Sequence, residues 1–360
     1  MLEKKRLDYI DWLKAIGIYL IVLGHCLPAY TLPRTVIYTF HVPLFAFAGG
    51  LLSKKAETPK EMLSKLLKLL KRIGIPYLIW FVITSYPYMM KECPFKTDYN
   101  FKELVEIFFL LNGRPMWNAA LWFIPCYFIV NLIFIVFSYL VKGNRYACLG
   151  LGLVSFAGII ILEETDKTID LFGYTNIFSM HNVFLLLGFF CVGYVLKDFI
   201  QYVAQRKDNP RKNYMLYISL AVFIISIILS AQLNKDPSRP GGYAPMSVLN
   251  LVYNNIYVYI SLGTLILTSL TITLALFPAN QVVKMLSQSS FFIMATHYLF
   301  FNSKYYSNPS WKEGKWEFSM HTGIKESVYI IGITLAFLYV LYLFRKKYPK
   351  FSKFLTYFGI

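Results

Sequence analysis

The sequence predicts an all-α, polytopic integral membrane bundle of about ten helices, with both termini in the cytoplasm. Three observations carry that class. Apolar residues make up 57% of the 360-residue chain and charged ones 15%, against about 45–50% and 25% in soluble globular proteins. The apolar residues fall in runs long enough to cross a bilayer, about 20 residues each. The net charge of +17 sits in the short segments between those runs, which points to membrane topology rather than to a nucleic-acid-binding face. No nucleic acid is therefore expected among the partners, whereas membrane lipid is.

The first run, Trp12 to Leu27, follows Lys4-Lys5-Arg6 as the core of a signal peptide would. No small-x-small cleavage site follows it and Pro28-Ala29-Tyr30 comes next, so it is expected to be a retained first helix. Further runs lie near 37–52, 73–90, 119–141, 146–162, 183–203, 214–231, 251–277, 289–303 and 325–344. With a cytoplasmic N-terminus, the inner segments hold 24 of the 36 basic residues and 7 of the 19 acidic ones, a net of +17. The outer segments hold 12 of each and are neutral. The whole excess lies on one side, which is the positive-inside pattern.

Within the inner segment 54–72, Thr58-Pro59-Lys60-Glu61 reads as an N-cap, an N1 proline and an N3 glutamate. Leu63, Leu66, Leu67 and Leu70 then recur at helical spacing among Lys60, Lys65, Lys68, Lys71 and Arg72. This predicts an amphipathic surface helix, serving as a lipid anchor or as a cationic site for a phosphate-rich cytosolic ligand. The outer segment 303–324 is rich in Tyr305, Tyr306, Trp311, Trp316 and Phe318, as in an interfacial belt or a sugar-stacking surface. Cysteines at 26, 93, 126, 148 and 191 show no CxxC and no metal-ligand spacing. The chain is expected to be a single membrane-embedded domain over 1–360, with no appended soluble domain and no metal.

Ionisable residues inside spans are costly and mark function by default. The first helix carries Asp11, Lys14 and His25. Asp11 and Lys14 are spaced to pair on one face. Lys14 and His25 are eleven residues apart, which puts them on one face about 16 Å apart along the axis. That suits a long ligand held by a cation at one end with its reactive group at an imidazole, and His25 can take a proton from a hydroxyl. His41 in the second span is expected at a depth similar to His25, as its acid/base or orienting partner, and His297 in the ninth is a third candidate. His181 and His321 are expected at the surface.

These motifs resemble a known family. Arg6-x4-Asp11-x2-Lys14-x10-His25 followed by Phe40-His41-Val42-Pro43-Leu44-Phe45-x3-Gly49 is similar to membrane acyltransferase family 3. The similarity continues through Lys71-Arg72-x3-Pro76-Tyr77-x2-Trp80, Leu121-Trp122-Phe123-Ile124-Pro125 and Ser290-x6-His297, and so spans nearly the whole chain. The resemblance implies an integral membrane O-acyltransferase of the bacterial inner membrane. It would move an acyl group, usually acetyl from cytosolic acetyl-CoA, to a hydroxyl of a cell-surface or lipid-linked glycan. Lys14, Lys71 and Arg72 would bind the acyl-CoA phosphates, and His25, His41 and Asp11 would form the catalytic set. Trp122, Ser290 and His297 would contact substrate. Lys14 departs from the family's usual arginine, keeping the charge but losing two-pronged phosphate recognition. Ala48 and Ser287 replace a more familiar serine and glycine.

The rival class is a transporter or flippase for a glycan or lipid precursor without acyl-transfer chemistry. It predicts coupling groups on several spans, often in broken helices, but acidic residues within the spans are nearly absent. A sensor or scaffold that has lost its donor site is the third reading.

Overall fold

In a computed structural model of the chain, the residues described are 6–28, 31–89, 118–165, 170–171, 174–175, 180–206, 212–235, 256–306, 319–348 and 355–358. Apart from a two-residue antiparallel ladder pairing Asp170–Leu171 with Tyr174–Thr175, the described elements are helical. They run α1 Asp8–Cys26, α2 Leu32–Leu52, α3 Pro59–Leu69, α4 Ile75–Met89, α5 Phe123–Leu140, α6 Arg145–Glu164, α7 Met180–Gln205, α8 Lys212–Leu233, α9 Ile256–Ala275, α10 Gln281–Gln288, α11 Ser290–Tyr306 and α12 Met320–Lys347. Short 3-10 turns precede α5 at Ala119–Trp122 and close the described chain at Thr356–Phe358.

Eight helices are long and apolar enough to cross a membrane: α1, α2, α5 with its preceding turn, α6, α7, α8, α9 and α12. The runs at 73–90 and 289–303 lie in α4 and α11, which are described up to residues 89 and 306. The run at 73–90 becomes α4, of 15 residues. The run at 289–303 becomes α11, described over 17 residues. Phe292 through His297 on α11 are all buried, so this apolar run faces protein. Apolarity alone does not separate that environment from lipid.

The segment 54–72 folds as read. Thr58 caps α3 by accepting from Glu61 N at 3.2 Å, and the Glu61 carboxylate accepts from Glu57 N at 2.8 Å. Leu63, Leu67 and Leu70 are exposed along one side. The Lys65 ammonium donates to the carbonyls of Lys54 and Lys55, tying α3 to the preceding loop, and the burial this entails lowers its pKa. A π-helical turn at Leu70–Gly74 joins α3 to α4 without a break.

Helix packing inside a membrane relies on close contact rather than on hydrophobic expulsion. The α2–α7 pair is built on this. A methyl group on Gly50 would run into the Phe190 carbonyl, and one on Gly193 into the Phe47 carbonyl. Phe134 seals the pair at ring distances of 4.8 Å to both Phe190 and Tyr194. Several hydroxyls in the spans donate to carbonyls one turn back, as at Thr39, Ser155, Thr271 and Thr334.

The helix order defines two ends of the bundle. α1 starts at one end, which we name the basic face, and reaches the other, the histidine face, at Cys26. Gly323 in the first turn of α12 lies against the Cys26 carbonyl. α12 therefore starts at the histidine face and returns over 28 residues to the basic face.

Candidate functional site

α1 carries the site along its length. At the basic face, Arg6 grips Asp11 with two prongs, Nε to Oδ2 at 2.5 Å and Nη2 to Oδ1 at 2.8 Å. Ser287 on α10 donates to Asp11 Oδ1 at 2.6 Å, and Arg6 Nη2 reaches the Lys284 carbonyl at 3.2 Å. Trp12 Nε1 adds a bond to the Pro278 carbonyl at 3.2 Å. The result clamps α1 to α10. The expected Asp11–Lys14 ion pair is replaced by the Arg6–Asp11 pair, because the arginine fork fills both carboxylate oxygens while Ser287 completes the shell. Arg6, which lies outside the span, has its pKa raised further by that hydrogen bond.

Lys14, one turn along and partly buried, forms no hydrogen bond or ion pair among the described residues. An ammonium held this way is available to an incoming anion. Ser290 also lies at this end, with its hydroxyl donating to the Ser287 carbonyl at 3.0 Å, about 10 Å along α11 from His297. Lys71 and Arg72 are exposed in the π-helical turn. That turn packs chiefly on α3, α4, α5 and the terminal 3-10 turn, whereas α1 packs chiefly on α2, α9, α10, α11 and α12. The three expected phosphate ligands thus occupy two neighbouring sectors.

At the histidine face, His25 meets α11 rather than pairing first with His41. Its ring centroid lies 5.4 Å from that of His297 and 5.1 Å from that of Tyr298. Neither nitrogen of His25 is hydrogen-bonded among the described residues. His297 is fully buried; its Nδ1 lies 3.0 Å from the Ile293 carbonyl and its Nε2 has no partner. The carbonyl requires the proton on Nδ1, which leaves the Nε2 lone pair open. His41 repeats the pattern with Nδ1 2.8 Å from the Ile37 carbonyl. Tyr38 packs beside Gly24 and Phe45 beside Gly17. That alignment sets His41 about one turn, some 6 Å, nearer the basic face than His25, where a similar depth was expected. His41 is still within electrostatic reach of His25.

Trp122 is buried in the turn before α5, edge-on to Phe123 at 6.0 Å. Asn118 pins this turn to α11 by donating from Nδ2 to the Ala295 carbonyl at 2.8 Å. His181, expected at the surface, is buried at 1% exposure at the start of α7, because helix packing reaches to that end of the run. His321 is exposed. Among the described residues no group of three His, Cys, Asp or Glu is placed to hold a metal.

The sequence reading did not single out Arg34 and Tyr38. With His41 they form one face of α2 at spacings of four and three residues, a signal present in the sequence. Arg34 lies 5.1 Å over the Tyr38 ring, and Tyr38 lies 4.7 Å from His41.

The acyltransferase domain of family 3 matches residues 7–346, nearly the entire chain. No curated protein and no solved structure matches it significantly.

Proposed function

Since this chain belongs to membrane acyltransferase family 3, we propose that it transfers an acyl group, acetyl from acetyl-CoA, to a hydroxyl of a cell-surface or lipid-linked glycan. The donor enters from the basic face, taken as cytoplasmic, and the acceptor from the histidine face. The membrane is a bacterial inner membrane, and both ends of the chain lie on its cytoplasmic side.

The observation that carries the reading is the arrangement along α1. The Lys14 ammonium and the His25 imidazole, neither of them hydrogen-bonded among the described residues, stand about 16 Å apart on one continuous helix. A phosphate of the donor meets Lys14, and its extended arm reaches towards His25. The acetyl-CoA fit rests on Lys14 first; Lys71 and Arg72, exposed in the next sector, meet the outlying phosphates.

His25 takes the proton of the acceptor hydroxyl as its oxygen attacks the thioester carbonyl. A C–O bond forms, the C–S bond breaks, and the leaving thiolate takes up a proton. His297 and His41 border His25, and His297 Nε2, without a partner among the described residues, is suited to accepting a hydrogen bond from an acceptor hydroxyl. Trp122 supports the α11 side of the site through Asn118. Asp11 and Ser290 act at a distance, by holding α1, α10 and α11 in register.

The test uses purified full-length protein with radiolabelled acetyl-CoA. Donor binding is expected in both wild type and His25→Ala. Transfer to an envelope glycan fraction is expected in wild type and reduced by about 10²–10⁴-fold in His25→Ala. Full transfer by His25→Ala would remove the base from the mechanism, and no donor binding by wild type would remove acetyl-CoA.

A further inference from the structure

We propose that Arg34 recognises an anionic group, a carboxylate or a phosphate, carried by the acceptor. The word acceptor rests on the acyl-transfer reading, but the anion site does not.

Arg34 is fixed in place by neutral partners. Its Nη1 donates to the Leu27 carbonyl at 2.9 Å and its Nη2 to the Tyr38 hydroxyl at 3.4 Å, with the guanidinium over the Tyr38 ring. Tyr38 in turn lies against α1. A Cβ on Gly24, next to His25, would sit 2.9 Å from the Tyr38 ring. Arg34 is thereby held within electrostatic reach of both His25 and His41.

A guanidinium has five N–H donors in a rigid fork. Two of them are used here, neither on a charged acceptor, and no carboxylate pairs with Arg34 among the described residues. Arg6 and Arg145 differ, since each is paired within the chain, with Asp11 and Asp198 respectively. A cation at the end of a membrane-spanning helix, part-buried and without a counter-ion, is costly unless something supplies one. The open side of the fork matches the two oxygens of a carboxylate or phosphate.

The position decides which ligand brings that charge. Lys14 and the basic face lie at the opposite end of α1. Arg34 lies beyond His25 on the histidine face, on the side from which the acceptor approaches. An oxyanion docked on Arg34 would place neighbouring hydroxyls of the same sugar at His25.

The competing role is purely structural, a brace on the last carbonyls of α1. Such a brace affects stability without distinguishing ligands. The experiment measures donor-free binding of p-nitrophenyl glucuronide, p-nitrophenyl glucoside 6-phosphate and neutral p-nitrophenyl glucoside to full-length wild type, Arg34→Lys and Arg34→Gln. Wild type should bind at least one charged glycoside about tenfold or more tightly than the neutral one. Arg34→Gln should bind all three alike, and Arg34→Lys should fall between. The favoured charged glycoside identifies carboxylate or phosphate as the source. Equal binding of all three by wild type, or an undiminished preference in Arg34→Gln, overturns the proposal. If Arg34→Gln fails to fold, Arg34→Lys decides, because a brace keeps the preference at the wild-type ratio and recognition reduces it. Thiol release from acetyl-CoA in the same preparations tests acyl transfer separately. Its absence beside an Arg34-dependent preference would sink the transferase and leave the anion site standing.

Discussion

Asp11 shows how a residue can be legible in the sequence while its partners are not. An intramembrane carboxylate near a cation and a histidine reads as catalytic, and nothing in local spacing reveals that Arg6 and Ser287 fill its shell. Ser287 is 276 residues away in the chain, so only the fold could show the contact. Asp11→Asn should therefore act on stability. It leaves the Arg6 fork facing a neutral amide, a loss of about 1–3 kcal/mol, seen as a lower melting temperature in detergent with the KM for the acceptor unchanged. A stable Asp11→Asn protein with abolished turnover would instead return Asp11 to the chemistry. Lys14 gives the opposite expectation. Its ammonium makes no hydrogen bond or ion pair among the described residues, so Lys14→Gln should leave the melting temperature near wild type while raising the KM for acetyl-CoA by about tenfold. Lys14→Arg should retain donor binding. A Lys14→Gln enzyme with an unaltered KM would remove the donor phosphates from that end of α1. His25 was legible as a candidate from its spacing to Lys14. Its neighbour His297 was legible only as a candidate, since the ring contact depends on how α11 docks.

Among the elements, the sequence located each apolar run but could not rank the helices by environment. α11 and α4 read as spans because their composition matches the others. The cap at Thr58 was legible because capping is local. Helix–helix contact is not local, and glycines carry it here. Gly50 and Gly193 put backbone against backbone between α2 and α7, so a single added methyl forces the pair apart. Gly50→Ala and Gly193→Ala should each lose about 1–3 kcal/mol or more, read as reduced folded yield and a lower melting temperature. Gly332→Ala on α12 is the matched control, with nothing within 4 Å of the added carbon. It should be neutral or gain up to about 1 kcal/mol from helix propensity. Equal effects at all three positions would mean that helix propensity, not close packing, governs these glycines. Because α2 carries Arg34, Tyr38 and His41, a shifted α2–α7 pair should also lower transfer in the protein that does fold.

The whole bundle has a polarity that one labelling experiment can read. The amphipathic α3, the clamp at Asp11 and Lys14 belong to one face, and His25, Arg34 and the start of α12 to the other. On the proposed topology the positive-inside bias would put the basic face in the cytoplasm, on the side of an acetyl-CoA donor, so orientation and donor access are one question. The described cysteines, Cys26, Cys126, Cys148 and Cys191, are all buried, which leaves a quiet background once Cys93 is replaced by serine. Lys60→Cys reports the basic face from the exposed side of α3, and Met320→Cys reports the histidine face from the exposed start of α12. In intact cells an impermeant maleimide should label Met320→Cys at once and Lys60→Cys only after permeabilisation. The reverse pattern would put Lys14 outside the cell, away from any acyl-CoA, and a donor arm entering along α1 from that end could no longer be sustained. Labelling of both positions in intact cells would mean a mixture of orientations, and the charge bias would then have lost its predictive force for this chain.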